Sequence, residues 1–416
     1  MLKTDRDPVS LPPPFPTDAR SVVSVLRRAF LEPIVALGAD PNSGPSIAAA
    51  LGINRNLGWK LSRIVQSDDP AAVFQQMPGA GGVQILIKSL EGADLSPELV
   101  EAAKNAIDEY ERLIRVHSGD RSALEMMGSA LSPTGRKQRD EYHRKLLFQG
   151  ASYVWGVQAR VNLKLGVVAP GAEPGMLDFA SLNALLDFRR IRPDVTWIMA
   201  SRRSRNDDGT VMATQASEVL DERYAGAEQA PLVEDLCSKP LPEFRRYEEG
   251  GWTRFELVEG RVGNTGALDC VLGTIQRQIP YYRTPANEWG VHQAKSDIPA
   301  ELMLIDVFFH RDLEFAFSPE AVLYSEAAVM LPEPQRERYR LPLSETLQDL
   351  GMTGLPPVTP EVPQYPQIMA KVYERTGWSP ADFRGIRMKI AYPAYPTALV
   401  LRYKLPPAPD EVTSST

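Results

Sequence analysis

The chain is poor in the residues from which most small catalytic and metal centres are built. It has two cysteines, Cys237 and Cys270, and four widely separated histidines, His117, His143, His292 and His310. Cysteines so placed form neither a disulfide framework nor a C-x-x-C pair, so both are expected as reduced thiols. The histidines lack ligand spacing, and neither G-x-S-x-G nor H-E-x-x-H occurs. "PGAGG" lacks the Lys-Ser/Thr of a phosphate loop, and Gln84 stands where a dinucleotide fingerprint needs its third glycine. His310-Arg311-Asp312-Leu313 copies the opening of a kinase catalytic loop, but Phe317 occupies the place of the metal-binding Asn. No catalytic residue, metal ligand or cofactor is therefore assigned. No apolar run of about 18 residues occurs, so no membrane span is expected. The opening "MLKTDRDPVSLPPPFPTD" has Pro and Asp where a signal peptide carries its apolar core, and a cytoplasmic location is expected.

The formal net charge is −7 over 416 residues. That balance excludes a protein whose whole surface coats nucleic acid, but not a small basic head on an acidic body. Length alone predicts two or three domains.

The first part of the chain has helical periodicity. Val25, Leu26, Ala29, Phe30 and Leu31 mark a first helix that Pro33 ends or kinks. "SDDPAAVFQQ" begins another, with Ser67 or Asp68 as cap and Pro70 in the first turn. In "LSPELVEAAKNAIDEYERLIRV", Ser96 caps a long helix whose apolar face is Leu99, Ala103, Ile107, Tyr110 and Ile114. Helices are expected again at 122–130 and 134–149.

Near residue 151 the period becomes two. Val157, Ala159, Val161, Leu163, Leu165 and Val167 alternate with Gln158, Arg160, Asn162 and Lys164, which predicts a strand with one wet face. Strands are also expected in "WTRFELVEG", "CVLGTIQRQI", "ELMLIDVFFHRDLEFAF" and "AVLYSEAAVML". "IRMKIAYP" and "TALVLRYKL" predict a hairpin, "RNDDGT" a hairpin turn, and "NALLDFRRI" and "QYPQIMAKVYERTG" helices. No βα alternation is sustained, which argues against a doubly wound sheet. Asp306, Phe308, His310 and Asp312 share one strand face, expected to be solvated; an acid–base pair is the sharper alternative. Trp155, Trp252, Trp289 and Trp378 are expected in core packing, with a ligand pocket as the alternative.

"SIAAALGINRNLGWKLSRIVQ", Ser46 to Gln66, is the stretch with a sharper message. On a helical wheel Leu57, Leu61, Ile64 and Val65 fall on one arc, with Gly58 at its edge. Arg55, Asn56, Trp59, Arg63 and Gln66 fall on the opposite arc, with Lys60 on the flank. From Gly44 to Gln66 the sequence has basic residues and no acidic one. The order Ile47-Ala48 … Leu51-Gly52-Ile53 resembles the bacterial repressor-type helix-turn-helix, over about 20 residues. The departure is Gly58, where that family usually has Val or Ile, so side-chain packing is reduced there. The resemblance implies that Asn54, Arg55, Asn56, Trp59, Lys60 and Arg63 touch DNA.

The sequence therefore predicts a multidomain α+β chain. An all-α helix-turn-helix head (19–92) follows a disordered Pro-rich tail (1–18) and leads into a helical linker or oligomerisation region (93–150). A mostly antiparallel, β-rich α+β effector or sensor domain (151–405) precedes a disordered tail (406–416). The function expected is sequence-specific binding of double-stranded DNA, in transcriptional control, by a homodimer, with a ligand or protein partner at the C-terminal domain. The alternatives are a structural or adaptor protein whose head contacts protein, and an enzyme with its site in the C-terminal domain.

Overall fold

The computed structural model describes residues 12–132, 136–203, 218–226, 228–284, 288–328, 331, 335–352, 354 and 357–408. The turn expected at "RNDDGT" lies outside the described residues. The chain divides into two compact units, Met1–Arg139 and Asp140–Thr416.

The first unit is helical: α1 (Phe15–Ala36), α2 (Gly44–Leu51), α3 (Arg55–Gln66), α4 (Pro70–Gln76), α5 (Ala80–Gly92), α6 (Pro97–Leu113) and α7 (Arg121–Leu131). α1 buries Val22, Leu26, Ala29 and Phe30, one stripe at helical spacing, and Pro33 lies in its last turns. That stripe shares a core with Ile47, Leu61, Ile64, Phe74, Ile107 and Tyr110. A buried carboxylate closes the unit. Asp18 accepts two bonds from the Arg112 guanidinium, at 3.0 and 2.7 Å, and lies 2.8 Å from His117 Nε2. Arg112 above all, against the opposing effect of burial, holds the Asp18 carboxyl below its ordinary range.

The second unit opens with α8 (Arg136–Trp155), whose first residues belong to the first unit. It continues with β1 (Val157–Pro170), β2 (Met176–Arg190), β3 (Trp197–Arg203), β4 (Glu218–Val219), β5 (Phe244–Glu249), β6 (Trp252–Leu257) and β7 (Leu268–Pro280). Then come β8 (Trp289–Ser296), β9 (Ala300–His310), β10 (Glu320–Ser325), β11 (Arg340–Leu341), β12 (Gln348–Gly351), α9 (Tyr365–Thr376), β13 (Phe383–Ala391) and β14 (Thr397–Lys404). The described residues thus form an α+β chain, with helices mainly in the first unit and strands in the second.

Three sheets form, in the orders β12-β13-β9-β1-β2-β7-β4, β11-β10-β14-β8 and β3-β6-β5. Strand pairing is antiparallel except between β1 and β9. One face of the large sheet packs on the four-stranded sheet, with Ile305, Val307 and Phe309 against Leu399, Leu401 and Tyr403. Its other face, including Leu163 and Leu304, shares a core with Tyr365, Ile368 and Met369 of α9.

Four strand expectations are corrected. "NALLDFRRI" is the second half of β2, not a helix: Ala184, Leu186 and Phe188 alternate inward. Asp187, at φ 54°, lies where the β2–β7 register shifts, yet the alternation runs unbroken from Ala180 to Arg190; Leu185, apolar and half-buried on the opposite face, obscures it in the sequence. β13 and β14 do not pair as a hairpin but lie in different sheets, their apolar faces meeting across the interior. The "wet" face of β1 is largely dry, with Asn162 fully buried and Lys164 nearly so. The row expected to be solvated on β9 is also covered: Asp306 and Phe308 are buried beneath α9. Among the described residues, no helix is long and apolar enough to cross a membrane.

Candidate functional site

α2 and α3 are set by local chemistry. Ser43 caps α2, and Gly52 closes it in the left-handed conformation at φ 63°, which a side chain disfavours. Ile53 N–H then bonds back to Ala48 O at 3.0 Å. Asn54 caps α3, its side-chain oxygen accepting the Leu57 N–H at 2.9 Å. The two helices approach closely at Gly58. A Cβ placed there would stand 2.3 Å from Gly44 O and 3.0 Å from the Ala48 side chain. The departure from the repressor pattern is therefore a contact point: glycine replaces side-chain packing by backbone approach. The loop before α2 is tied to the flank of α3, since Ser62 Oγ donates to Pro41 O at 2.9 Å and Gln66 Nε2 to the same oxygen at 3.3 Å.

The two arcs of α3 separate as the wheel predicts. Leu57, Leu61, Ile64 and Val65 are buried, while Arg55, Asn56 and Arg63 are exposed and Lys60 is half-buried. Trp59 lies against Gly44 and remains 47% exposed. Asn54 is exposed too, but its oxygen is engaged by the cap, leaving the amide nitrogen for an outside partner. Gln66 is exposed too, with its amide nitrogen held by Pro41 O and Ser62 Oγ.

Among the described residues, Arg55, Lys60 and Arg63 enter no ion pair. Elsewhere arginines are routinely paired: Arg112 with Asp18, Arg189 with Asp187, Arg277 with Asp178 and Arg402 with Glu320. Three uncompensated cations on one helix in an acidic chain attract anions.

The second unit contains charge that sequence reasoning missed. Asp306 is fully buried, gripped by Arg387 through bonds of 2.8 and 2.6 Å, and accepts from the Tyr365 hydroxyl of α9. Burial first, then the Asp306 charge, pushes the Tyr365 phenol well above its ordinary range. Every strong partner of this trio lies within it, so the cluster pins α9 to β9 and β13. His310 stands at the strand end, where its Nδ1 accepts the Asp312 N–H at 3.3 Å; the Asp312 side chain is 67% exposed. This is a turn contact, and Asp306 does not share it. Trp252 and Trp289 line cavities between the strands, while Trp378 packs on Phe383. Trp155 stacks edge-on with Trp197 and Tyr395. Both cysteines are buried, and among the described residues no acidic, His or Cys cluster is arranged to hold a metal.

No protein-family model matches the chain, and no curated protein matches it in sequence. A solved structure from Parabacteroides distasonis, described as that of a candidate protease, aligns over 60% of this chain at 9% identity and a TM-score of 0.25. The match spans 41% of that structure's own chain. Likeness at this level carries no argument.

Proposed function

We propose that α2 and α3 form a helix-turn-helix and that the outward arc of α3 reads double-stranded DNA, in the service of transcriptional control. One observation carries the reading: Arg55, Lys60 and Arg63 have no ion-pair partner among the described residues and project from a helix whose opposite arc is core. Arginine suits guanine edges, Asn56 can meet adenine, and lysine suits phosphate. The free amide nitrogen of Asn54 and the rim of Trp59 complete the contact surface. Readers of this kind act on paired half-sites, so a dimer is part of the proposal. Trp59 beside exposed arginines also suits a protein interface, which is the second reading: an adaptor.

The test is binding of the full-length chain to mixed-sequence duplex DNA as salt is raised. Neutralising three phosphates gives a slope of log K against log salt of about −2.7. The double variant Arg55→Ala/Arg63→Ala should lose most binding with its melting curve unchanged. A folded protein whose DNA binding is absent at low salt, or does not respond to either change, would replace this reading by the adaptor.

A further inference from the structure

The row Lys164, Asn183 and Leu272 runs in register across β1, β2 and β7, with Asn183 exposed. It is the floor of a cavity of about 720 Å³, walled by β3 and Trp252 on one side and by Gln293, Lys295 and Asp297 on the other. A volume of this size accommodates a small ligand.

The polar groups there are built in, not incidental. Lys164 is 8% exposed, and its Nζ donates to Asp297 Oδ2 at 2.8 Å. Asn162, fully buried, donates to the other carboxylate oxygen at 2.9 Å, and its own Oδ1 has no partner. Two buried donors thus fix a carboxylate whose side chain is 47% exposed toward the cavity. A second pair, Lys295 with Glu326 at 3.4 Å, lines the same space, as does Arg254, whose charge is met by Glu249 at 3.1 Å. Asn183 and Gln293 present amides with no hydrogen bond among the described residues.

Of the four charges in the two lysine pairs only Lys164 is buried; the side chains of Asp297, Lys295 and Glu326 stay 47%, 43% and 37% exposed, so a ligand in the cavity can reach them. Here each pair leaves capacity: an ammonium has three donors and a carboxylate about four acceptor positions. A ligand of one sign would serve half of each pair and desolvate the other half. A ligand carrying both signs serves both halves, its carboxylate on Lys164 and Lys295 and its ammonium on Asp297 and Glu326. The amides of Asn183 and Gln293 can pair with what lies between. We infer that this cavity binds a small zwitterion, of the free α-amino acid or dipeptide class. The inference does not rest on the DNA-reading proposal, and its test contains no DNA.

The experiment is calorimetric titration of the full-length protein with free amino acids and alanyl-alanine, beside their N-acetylated and C-amidated forms. Concentrations reach about 10 mM, where even millimolar affinity registers. The expected result is saturable binding of one or more zwitterions, weakened at least about tenfold by blocking either charge and by Asp297→Asn. Because Asp297→Asn strips a buried lysine of its partner, Lys295→Gln/Glu326→Gln is measured in parallel; both of its positions are partly exposed. This double variant should also weaken binding with the melting temperature retained. Absence of binding by every zwitterion overturns the inference. So does equal binding of the blocked forms, or binding unchanged in the double variant.

Discussion

His292 shows how a covered ring nitrogen biases a charge state, although the ring as a whole is only half-buried in a cavity wall. Its Nε2 has no partner, the ring meets Phe179 edge-on, and burial lowers its pKa to about 4. In the unfolded chain the ordinary value is about 6.5, so between these pH values the unfolded state binds a proton that the folded state refuses. Stability from this residue is therefore complete above the unfolded value and is lost as pH falls toward 4, by up to about 3 kcal/mol. Melting temperatures from pH 7 down to 4 should fall less steeply in His292→Leu than in the parent. Equal slopes would show that the ring takes up its proton without unfolding. A second residue, Asp306, is buried against a cation, Arg387. Asp306→Ala leaves Arg387 buried and unmatched and should destabilise the second unit by about 3–5 kcal/mol, measured by denaturant melts. A loss below about 1 kcal/mol would mean that water reaches Arg387.

At the scale of elements, α2 and α3 depend on an approach that tolerates no side chain. Gly58→Val would restore the residue usual in the repressor pattern, yet here it drives carbon into the Gly44 carbonyl. A loss of about 1–3 kcal/mol or more is expected. Leu61→Ala should cost about 2–5 kcal/mol through its cavity. Both should weaken DNA binding only as far as they unfold the pair, and binding measured well below the melting temperature would expose a direct role. The helical elements were legible in the sequence because their signals are local: Asn54 caps its own helix, and the burial of Leu57, Leu61 and Ile64 follows from 3.6 residues per turn. The strands were legible as strands but not as surfaces. Alternation on β1 distinguished Lys164 from Leu163, but only a second sheet, joined by distant residues, decides that both are covered. The cavity around Asp297 was invisible for the same reason, since Asn162 and Lys164 lie more than a hundred residues before it. β2 was mistaken because Leu185, apolar and half-buried on the face opposite Ala184 and Leu186, hides the alternation in the sequence.

At the scale of the whole molecule, the change of period near 151 and the start of the second compact unit at Asp140 differ by half a helix. That half matters energetically. Arg144 on α8 grips buried Glu345 at 2.5 and 3.3 Å, and Phe148 packs beside Tyr392. A fragment of residues 140–408 should melt cooperatively, and one of residues 151–408 should be less stable by at least about 3 kcal/mol, because Glu345 is left without its cation. Equal stability of the two would show that α8 is dispensable to the β-rich unit.

The parallel pairing of β1 with β9 has a consequence for the order in which the chain acquires structure. β1 ends at Pro170, and the neighbour it needs begins at Ala300, so β1 leaves a ribosome well before that partner exists. The opposing wall of the same core is β14, later still. The helical unit, whose contacts lie within Met1–Arg139, can close while the sheets are still waiting. During synthesis the interval between Pro170 and Lys404 is therefore the one in which the apolar faces of the first strands stand without the partners that cover them.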